Sequence, residues 1–404
     1  MNRRFIRHEF IYVTAIPMAG DSGQNAFETE IVKALHEVAP RYDNLSVQVF
    51  CPHMHNTASN PPTESSVCEL PLRSKTYWQY LRFQWRLFTS MGLYLWRHRR
   101  SDIVVFMRFH DSMIAPLLLK YLFRYKLIMR TGPVLLNLSI HGKNPNPFVY
   151  HFIRITLGKF YRHASKIITV TPQIGQWVVD TYRVPSDKIA LVPNAVDPET
   201  FQPKECSRAH WNIPNRASVI GFVGHVYVDQ GLDTVLHALA ILKNRGFDYP
   251  DLLVVGDGPD LAKLKELAQK LEIMKSVHWS GHVNRAQVPS AINACDVMLA
   301  PFTKRTFRTT GSSSLKLWEY LACDKPVFAS RDEDHAFIEN ENLGVLVEPE
   351  DIPEWAEALA RVGQWSEGLG GRGRRFVLKE HTYQTAAKKF IELGIFDDPQ
   401  KAIA

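Results

Sequence analysis

Short, uniformly apolar runs alternate along the chain with stretches in which apolar residues return at helical spacing. In the first half the runs Phe10–Ile16, Ser46–Phe50, Asp102–Met107 and Leu127–Met129 read as strands, and unbroken apolarity is the mark of strands covered on both faces. Between them Phe27–Val38 and Met113–Tyr125 read as helices. The second half repeats the alternation with strands Val219–Val223, Leu252–Val255 and Pro326–Ala329. Its helix Leu232–Leu242 carries apolar residues at 232, 235, 236, 239 and 242, a stripe that faces a core. Leu261, Leu264, Leu267 and Leu271 form a second such stripe, and Leu315–Ala322, Pro353–Val362 and Tyr383–Leu393 complete the helices. Strand and helix in alternation predict an α/β protein with parallel, Rossmann-like sheets.

At 404 residues the chain exceeds what one core accommodates, so two domains are expected. The segment after Lys166 holds two short strands around a helix and runs into a turn with Pro198, Pro203 and Pro214, which reads as a connector. The expected division is residues 1–197, a linker 198–217, and 218–382. A 45% hydrophobic and 22% charged composition is that of an ordinary globular protein. The net charge of +7 favours anionic partners such as sugar nucleotides or acidic lipids. Nucleic acid is set aside because no reading module accompanies the charge. Five widely spaced cysteines without a CxxC pair predict a reduced, cytoplasmic protein. No apolar segment reaches the roughly 18 residues that span a bilayer, so a secreted or integral protein is not expected.

Candidate chemistry concentrates in GSSSLKLWEYLACDKPVFAS, residues 311–330, which reads as loop, helix and buried strand in succession. The serines offer N-cap oxygens, and a helix N-terminus fed by such a loop is a site for an anionic group. Lys316 and Glu319 lie one turn apart: a cation for phosphates, and a carboxylate for ribose hydroxyls. Taken alone, the same pair also reads as a solvated ion pair. Glycine turns follow several strands, at Gly20 and Gly23, at Gly224 and at Gly256, a geometry that lets backbone approach phosphate or serves as a plain connector. Arg108, His110, Arg130 and Thr131 fall just past strand ends, where ligands of open α/β sheets bind, although a lone histidine is as readily structural. Three decoys give no metal site. Cys51, His53 and His55 lack a fourth ligand, Asp332-Glu333-Asp334 reads as a solvated acidic loop, and Ser280-Gly281 disfavours a helix joining His278 and His282.

The stretch from residue 73 to 100 is basic and aromatic. Trp78, Leu81, Trp85, Phe88 and Leu95 recur near helical spacing among Arg73, Lys75, Arg82, Arg86, Arg97, Arg99 and Arg100. Two readings stand side by side: an ordinary domain helix with its aromatics in the core, and a helix lying in an anionic membrane interface.

The wording SLKLWEYLACDKPVFAS resembles the SPLKLFEYMAxGKPVVA segment of the retaining, GT-B-fold glycosyltransferases of family 4. The segment ending IALVPNAVD is similar to the IPNGVD closing the first domain there, with Ala195 in place of the usual glycine. The resemblance implies a GT-B architecture: two Rossmann-like, doubly wound domains facing across a cleft, with a final helix at 383–404 returning to the first. It also implies transfer of a sugar from a nucleoside diphosphate sugar to a saccharide or lipid-linked acceptor, with retention, no metal and no other cofactor, in cell-surface glycan synthesis. Glu319 would hold ribose, Lys316 would neutralise phosphate, and Ser312, Ser313, Ser314 and Leu315 would lead amides toward it. Gly20, Gly23, Gly224 and Gly256 would face the donor phosphates or acceptor.

Four departures stand out. The family's arginine and lysine that grip the diphosphate are His225 and Gln230 here, a donor-sugar glutamate is Gly311, and a sugar-side histidine is replaced by Thr131-Gly132, for which His110 is the substitute. The loop Pro301–Gly311 supplies Lys304, Arg305 and Arg308, and Lys316 with one of these is expected to replace the absent pair. The departures equally suit a catalytically degenerate relative acting as a binding or assembly subunit. Placement is expected in the cytoplasm, with peripheral contact at the inner face of an anionic membrane if 73–100 lies in the interface.

Overall fold

The computed structural model describes residues 7–18, 23–53, 66–71, 77–108, 113–131, 147–214, 218–310, 315–365 and 367–395. The chain forms two compact units, Met1–Pro193 with Tyr383–Ala404, and Asn194–Thr382.

In the first unit β1 (His8–Val13), α1 (Gly23–Val38), β2 (Leu45–His53), β3 (Val67–Pro71), α2 (Tyr77–Arg97), β4 (Asp102–Arg108) and α3 (Ala115–Leu122) follow one another. Then come β5 (Lys126–Arg130), α4 (Pro147–His163), β6 (Lys166–Thr169), α5 (Pro172–Tyr182) and β7 (Ile189–Leu191). The sheet is wholly parallel in the order β3-β2-β1-β4-β5-β6-β7. Pro172 opens α5 behind Thr171, whose hydroxyl accepts from the Ile174 amide at 3.2 Å. One sheet face, with Ile11, Val105, Leu127 and Met129, packs against Phe83 and Leu87 of α2, Leu119 of α3 and Leu157 of α4.

The second unit runs β8 (Val219–Val223), α6 (Leu232–Asn244), β9 (Asp251–Val255), α7 (Leu261–Lys270), β10 (Val277–Gly281), α8 (Val288–Asn293) and β11 (Val297–Ala300). It continues through α9 (Lys304–Thr310), α10 (Leu315–Ala322), β12 (Val327–Ser330), α11 (Phe337–Asn340), β13 (Gly344–Val347), α12 (Ile352–Ala360) and α13 (Arg372–Glu380). Its parallel sheet has the order β10-β9-β8-β11-β12-β13. Period-two alternation splits the strands between two cores. Val223, Val255 and Met298 join α8 and α10 on one face, while Phe222, Val254 and Leu299 join α6 and α12 on the other. The last helix, α14 (Tyr383–Ile395), belongs to the first unit and lays Phe390 on Phe106 with ring centroids 4.4 Å apart. Each fully buried aromatic of this kind contributes about 1.5–3 kcal/mol.

Both sheets are doubly wound and Rossmann-like, of the α/β class expected from the sequence. Two local expectations are corrected. The expected linker packs on the second unit over its described residues 198–214: Phe201, Trp211 and Ile213 are buried in that unit's core, because large apolar side chains there had no cause to stay in solvent. Residues 368–375 lead into α13 through a tied turn. The Asp324 carboxylate accepts from the amides of Gly371 and Gly373 at 2.5 and 3.0 Å and so caps the start of α13. Pro301–Gly311 is largely helix α9 rather than a loop. Strand β3 had no counterpart in the sequence reading, since VCELP is too short to show a period.

Candidate functional site

Strand order reverses between β8 and β11, and in an open parallel sheet the crevice at such a point receives ligands. The chain leaves β8 at Val223 and turns at Gly224, whose φ of +150° suits glycine. Helix α10 is tied to this corner by Tyr320, whose hydroxyl accepts from the Val223 amide at 3.0 Å and donates to the Val223 carbonyl at 3.2 Å. One turn earlier on the same face, Lys316 therefore reaches the glycine turn. Its Nζ lies 4.1 Å from the Phe222 ring centroid and 5.1 Å from that of Phe302, and 3.3 Å from where a Cβ on Gly224 would stand. It donates a hydrogen bond to Gln230 Oε1. Burial among these rings lowers the Lys316 pKa from 10.5 to about 7, with Glu319 pulling weakly the other way. The corner thus holds one amine, poised between charged and neutral, beside backbone that a phosphate can approach.

Glu319 sits one turn on and is nearly buried. Arg285 Nη2 donates to its Oε1 at 2.7 Å, and the guanidinium also lies 5.0 Å from the Phe201 ring centroid. Arg285 opens a 3-10 turn set by a reciprocal capping box: Asn284 accepts from the Gln287 amide at 3.1 Å, and Gln287 accepts from the Asn284 amide at 3.3 Å. Sequence reasoning missed Arg285. The wording Asn284-Arg285-Ala286-Gln287 is the local signal that could have fixed the turn, although not its partner in α10.

The other expected residues divide. Leu315 is the first residue of α10, and Gly23 the first of α1, four residues before the expected helix start. Gly256, with φ +137°, has a packing part: a Cβ there would come within 1.9 Å of the Gly224 carbonyl oxygen, so its bareness lets the turns after β8 and β9 lie against each other. His225 is exposed, with its ring 5.7 Å from that of Tyr227, while Gln230 is buried and occupied with Lys316. Helix α9 docks beside this turn through Thr306, whose hydroxyl donates to the Asp229 carbonyl at 2.8 Å, and Arg305, 3.5 Å from the Asp229 carboxylate. Lys304 and Arg305 are exposed. His110, Gly20, Gly311, Ser312, Ser313, Ser314 and the side chain of Arg308 lie outside the described residues. Among the decoys, His53 pairs with Glu69 at 2.8 Å, His278 with Asp251 at 2.9 Å, and Asp332 caps its own turn by accepting from the Asp334 amide at 3.0 Å.

The first unit has its own reversal, between β1 and β4. There Glu28 of α1, fully buried, accepts from the Tyr12 hydroxyl at 2.9 Å and pairs with Arg108 at the end of β4. Arg130, at the end of β5 and beside Arg108 in register, lies 4.1 Å from the Phe27 ring centroid. Burial, reinforced by Arg108, lowers its pKa to about 10.

Two family models match, with the descriptions "Glycosyltransferase Family 4" over residues 29–200 and "Glycosyl transferases group 1" over 203–365. The chain is 29% identical over 214 residues to the D-inositol 3-phosphate glycosyltransferase of Stackebrandtia nassauensis, an overlap of 49% of this chain and 46% of that one. It spans about half the length of the first relatives it matches. Sucrose-phosphate synthase from Thermosynechococcus elongatus superposes with a TM-score of 0.73 at 18% identity, covering 95% of this chain and 98% of the other. Anabaena HepE in complex with UDP superposes with a TM-score of 0.66 at 14% identity, covering 95% and 98%.

Proposed function

From the premise that this chain belongs to the glycosyltransferases of family 4, we propose that it moves a sugar from a nucleoside diphosphate sugar to a saccharide or lipid-linked acceptor, with retention of configuration, in cell-surface glycan synthesis. The observation that carries the reading is Lys316 held by Gln230 over the Gly224 turn. A departing diphosphate carries about two negative charges and must be met by donors aimed at it. In this reading Lys316 supplies the cation from the helix side, in place of the two that His225 and Gln230 cannot supply. The Leu315 amide, with those of Ser313 and Ser314, adds hydrogen bonds at the helix start. Glu319, oriented by Arg285, accepts from the ribose hydroxyls through the oxygen Arg285 leaves open.

No protein base is assigned to the acceptor. The leaving phosphate takes the acceptor proton as the new glycosidic bond forms on the face it vacates, so neither metal nor other cofactor enters the proposal. We place the protein in the cytoplasm, touching the inner face of a membrane through residues 73–100. Among the described residues no helix is long and apolar enough to cross a membrane.

The test is thermal stabilisation of wild type and Glu319→Ala by a panel of nucleotides and nucleotide sugars without added metal. Stabilisation by one nucleoside diphosphate, lost in the variant, is the expected result. A folded protein silent across the panel would favour the second reading, a non-catalytic relative, for which the replacements His225, Gln230, Gly311 and Thr131-Gly132 speak.

A further inference from the structure

Helix α2 does not bury its tryptophans. Its core stripe is Phe83, Leu87, Met91 and Leu95, each fully buried, and this places Trp78, Trp85 and Trp96 outward, 73%, 68% and 56% exposed. Spacings of seven and eleven residues return to one side of a helix, so the three indoles stand in a line about 27 Å long. Arg82 and Arg86 flank the line, both exposed, and Arg99 lies 5.0 Å from the Trp96 ring centroid. Arg73 and Lys75 lie outside the described residues.

The surface does not end with α2. Its neighbour α3 is joined to it by Gln84, whose Oε1 accepts from the amides of Ile114 and Ala115 at 3.0 and 3.1 Å. On to α4 the contact is Tyr121, whose hydroxyl is 2.8 Å from His163 Nε2. The outward sides of these two helices present Leu122, 67% exposed, and Phe152, 52% exposed, with Arg154, Lys159 and Arg162 also exposed. No Asp or Glu occurs anywhere in residues 70–101 or 112–179, so α2, α3 and α4 carry none. A soluble face rarely combines large apolar side chains with cations and excludes every carboxylate. Three adjoining helices do so here.

We propose that the joined outer faces of α2, α3 and α4 form one docking surface for an anionic phospholipid leaflet. The proposal rests on the peripheral placement argued above and extends its surface beyond residues 73–100. Charge complementarity selects the occupant. Basic side chains meet acidic headgroups while the indoles and the apolar tips of α3 and α4 enter the headgroup boundary. A second copy of the chain would set cation against cation.

The test is co-sedimentation of the full chain with vesicles of phosphatidylcholine, alone or mixed with phosphatidylglycerol, at low and high salt. One variant is Trp78→Ser/Trp85→Ser/Trp96→Ser; the other is Leu122→Gln/Phe152→Gln, on α3 and α4 only. All these side chains are exposed, and unchanged melting curves verify folding. The expected result is salt-sensitive binding to the mixed vesicles alone, reduced at least tenfold by each variant. No binding by wild type would overturn the peripheral placement together with this surface. Binding lost in the tryptophan variant and intact in the Leu122/Phe152 variant would overturn the three-helix surface and leave the contact at 73–100. A wild-type dimer in sedimentation velocity, dispersed by either variant, would overturn the lipid occupant and make the face a protein interface.

Discussion

Arg285 Nη2 and Glu319 Oε1 are 2.7 Å apart, which joins the turn after β10 to the middle of α10 and fixes one carboxylate oxygen. Removing Arg285 frees the carboxylate to rotate without removing it. Arg285→Gln is expected to raise the donor KM about threefold to tenfold, up to ~1.4 kcal/mol, with kcat little changed. Glu319→Ala, which deletes the carboxylate proposed to hold ribose, is expected to weaken nucleoside diphosphate binding by more than about tenfold. Steady-state kinetics of the two variants against donor concentration decides this, and an equal fall of kcat in Arg285→Gln would count against a positioning role.

The glycine turns after β8 and β9 touch through backbone, and Gly256 is what lets them. A methyl group there would sit 1.9 Å from the Gly224 carbonyl oxygen at a φ of +137°. Gly256→Ala is expected to cost about 2–4 kcal/mol, because rigid backbone has to move. Gly246 is the control: its φ is +73° but nothing lies within 4 Å, so Gly246→Ala meets only backbone strain, about 1 kcal/mol. Urea melts of the pair separate the two effects.

Legibility in the sequence followed the range of the interaction. In the second half the strands Val219–Val223, Leu252–Val255 and Pro326–Ala329 could be placed within about two residues and Leu315–Ala322 without error, because each is set by its own apolar period and flanking Pro or Gly, whereas β10, β11 and β13 were not read. Lys316 and Glu319 could be paired as candidates for the same reason, being one turn apart on one helix. Gln230 was read only as a missing cation. That its amide oxygen receives Lys316 depends on a crossing of 86 residues that no local pattern records. Arg285 was invisible on the same grounds, 34 residues from its partner. For α2 the period was legible but its phase was not. Trp78 and Trp85 fit an apolar stripe on paper, whereas Phe83, Leu87, Met91 and Leu95 fill the space over the sheet.

Glu28 is a carboxylate with no exposure, held between the Tyr12 hydroxyl and Arg108. Taking it away leaves Arg108 without its carboxylate partner. Glu28→Leu is expected to destabilise the protein by about 3–5 kcal/mol. Arg108→Met alone leaves the carboxylate unpaired and costs a similar amount, while the double variant is expected to cost clearly less than the sum. Denaturant midpoints of the three variants provide the cycle, and simple additivity would show that the pair is not coupled.

In the proposed site Lys316 makes stability and donor binding depend on pH in opposite senses. Its pKa is about 7 in the folded protein against 10.5 ordinarily, so between those values the unfolded chain holds a proton that the folded one lacks. Stability therefore rises with pH across that window, and the gain is lost as pH falls through about 7. A diphosphate beside the amine restores its preference for charge. Binding then takes up a proton, and affinity falls as pH climbs from about 7 toward 10. Lys316→Met is expected to remove its share of the stability slope, fold at least as well as wild type near neutral pH, and lose about 100-fold or more in turnover. Melting midpoints from pH 6 to 10, with calorimetry of nucleoside diphosphate binding in buffers of different ionisation heat, read both effects. If wild type and variant share one stability slope, or binding takes up no proton, then Lys316 is not the amine that meets the diphosphate.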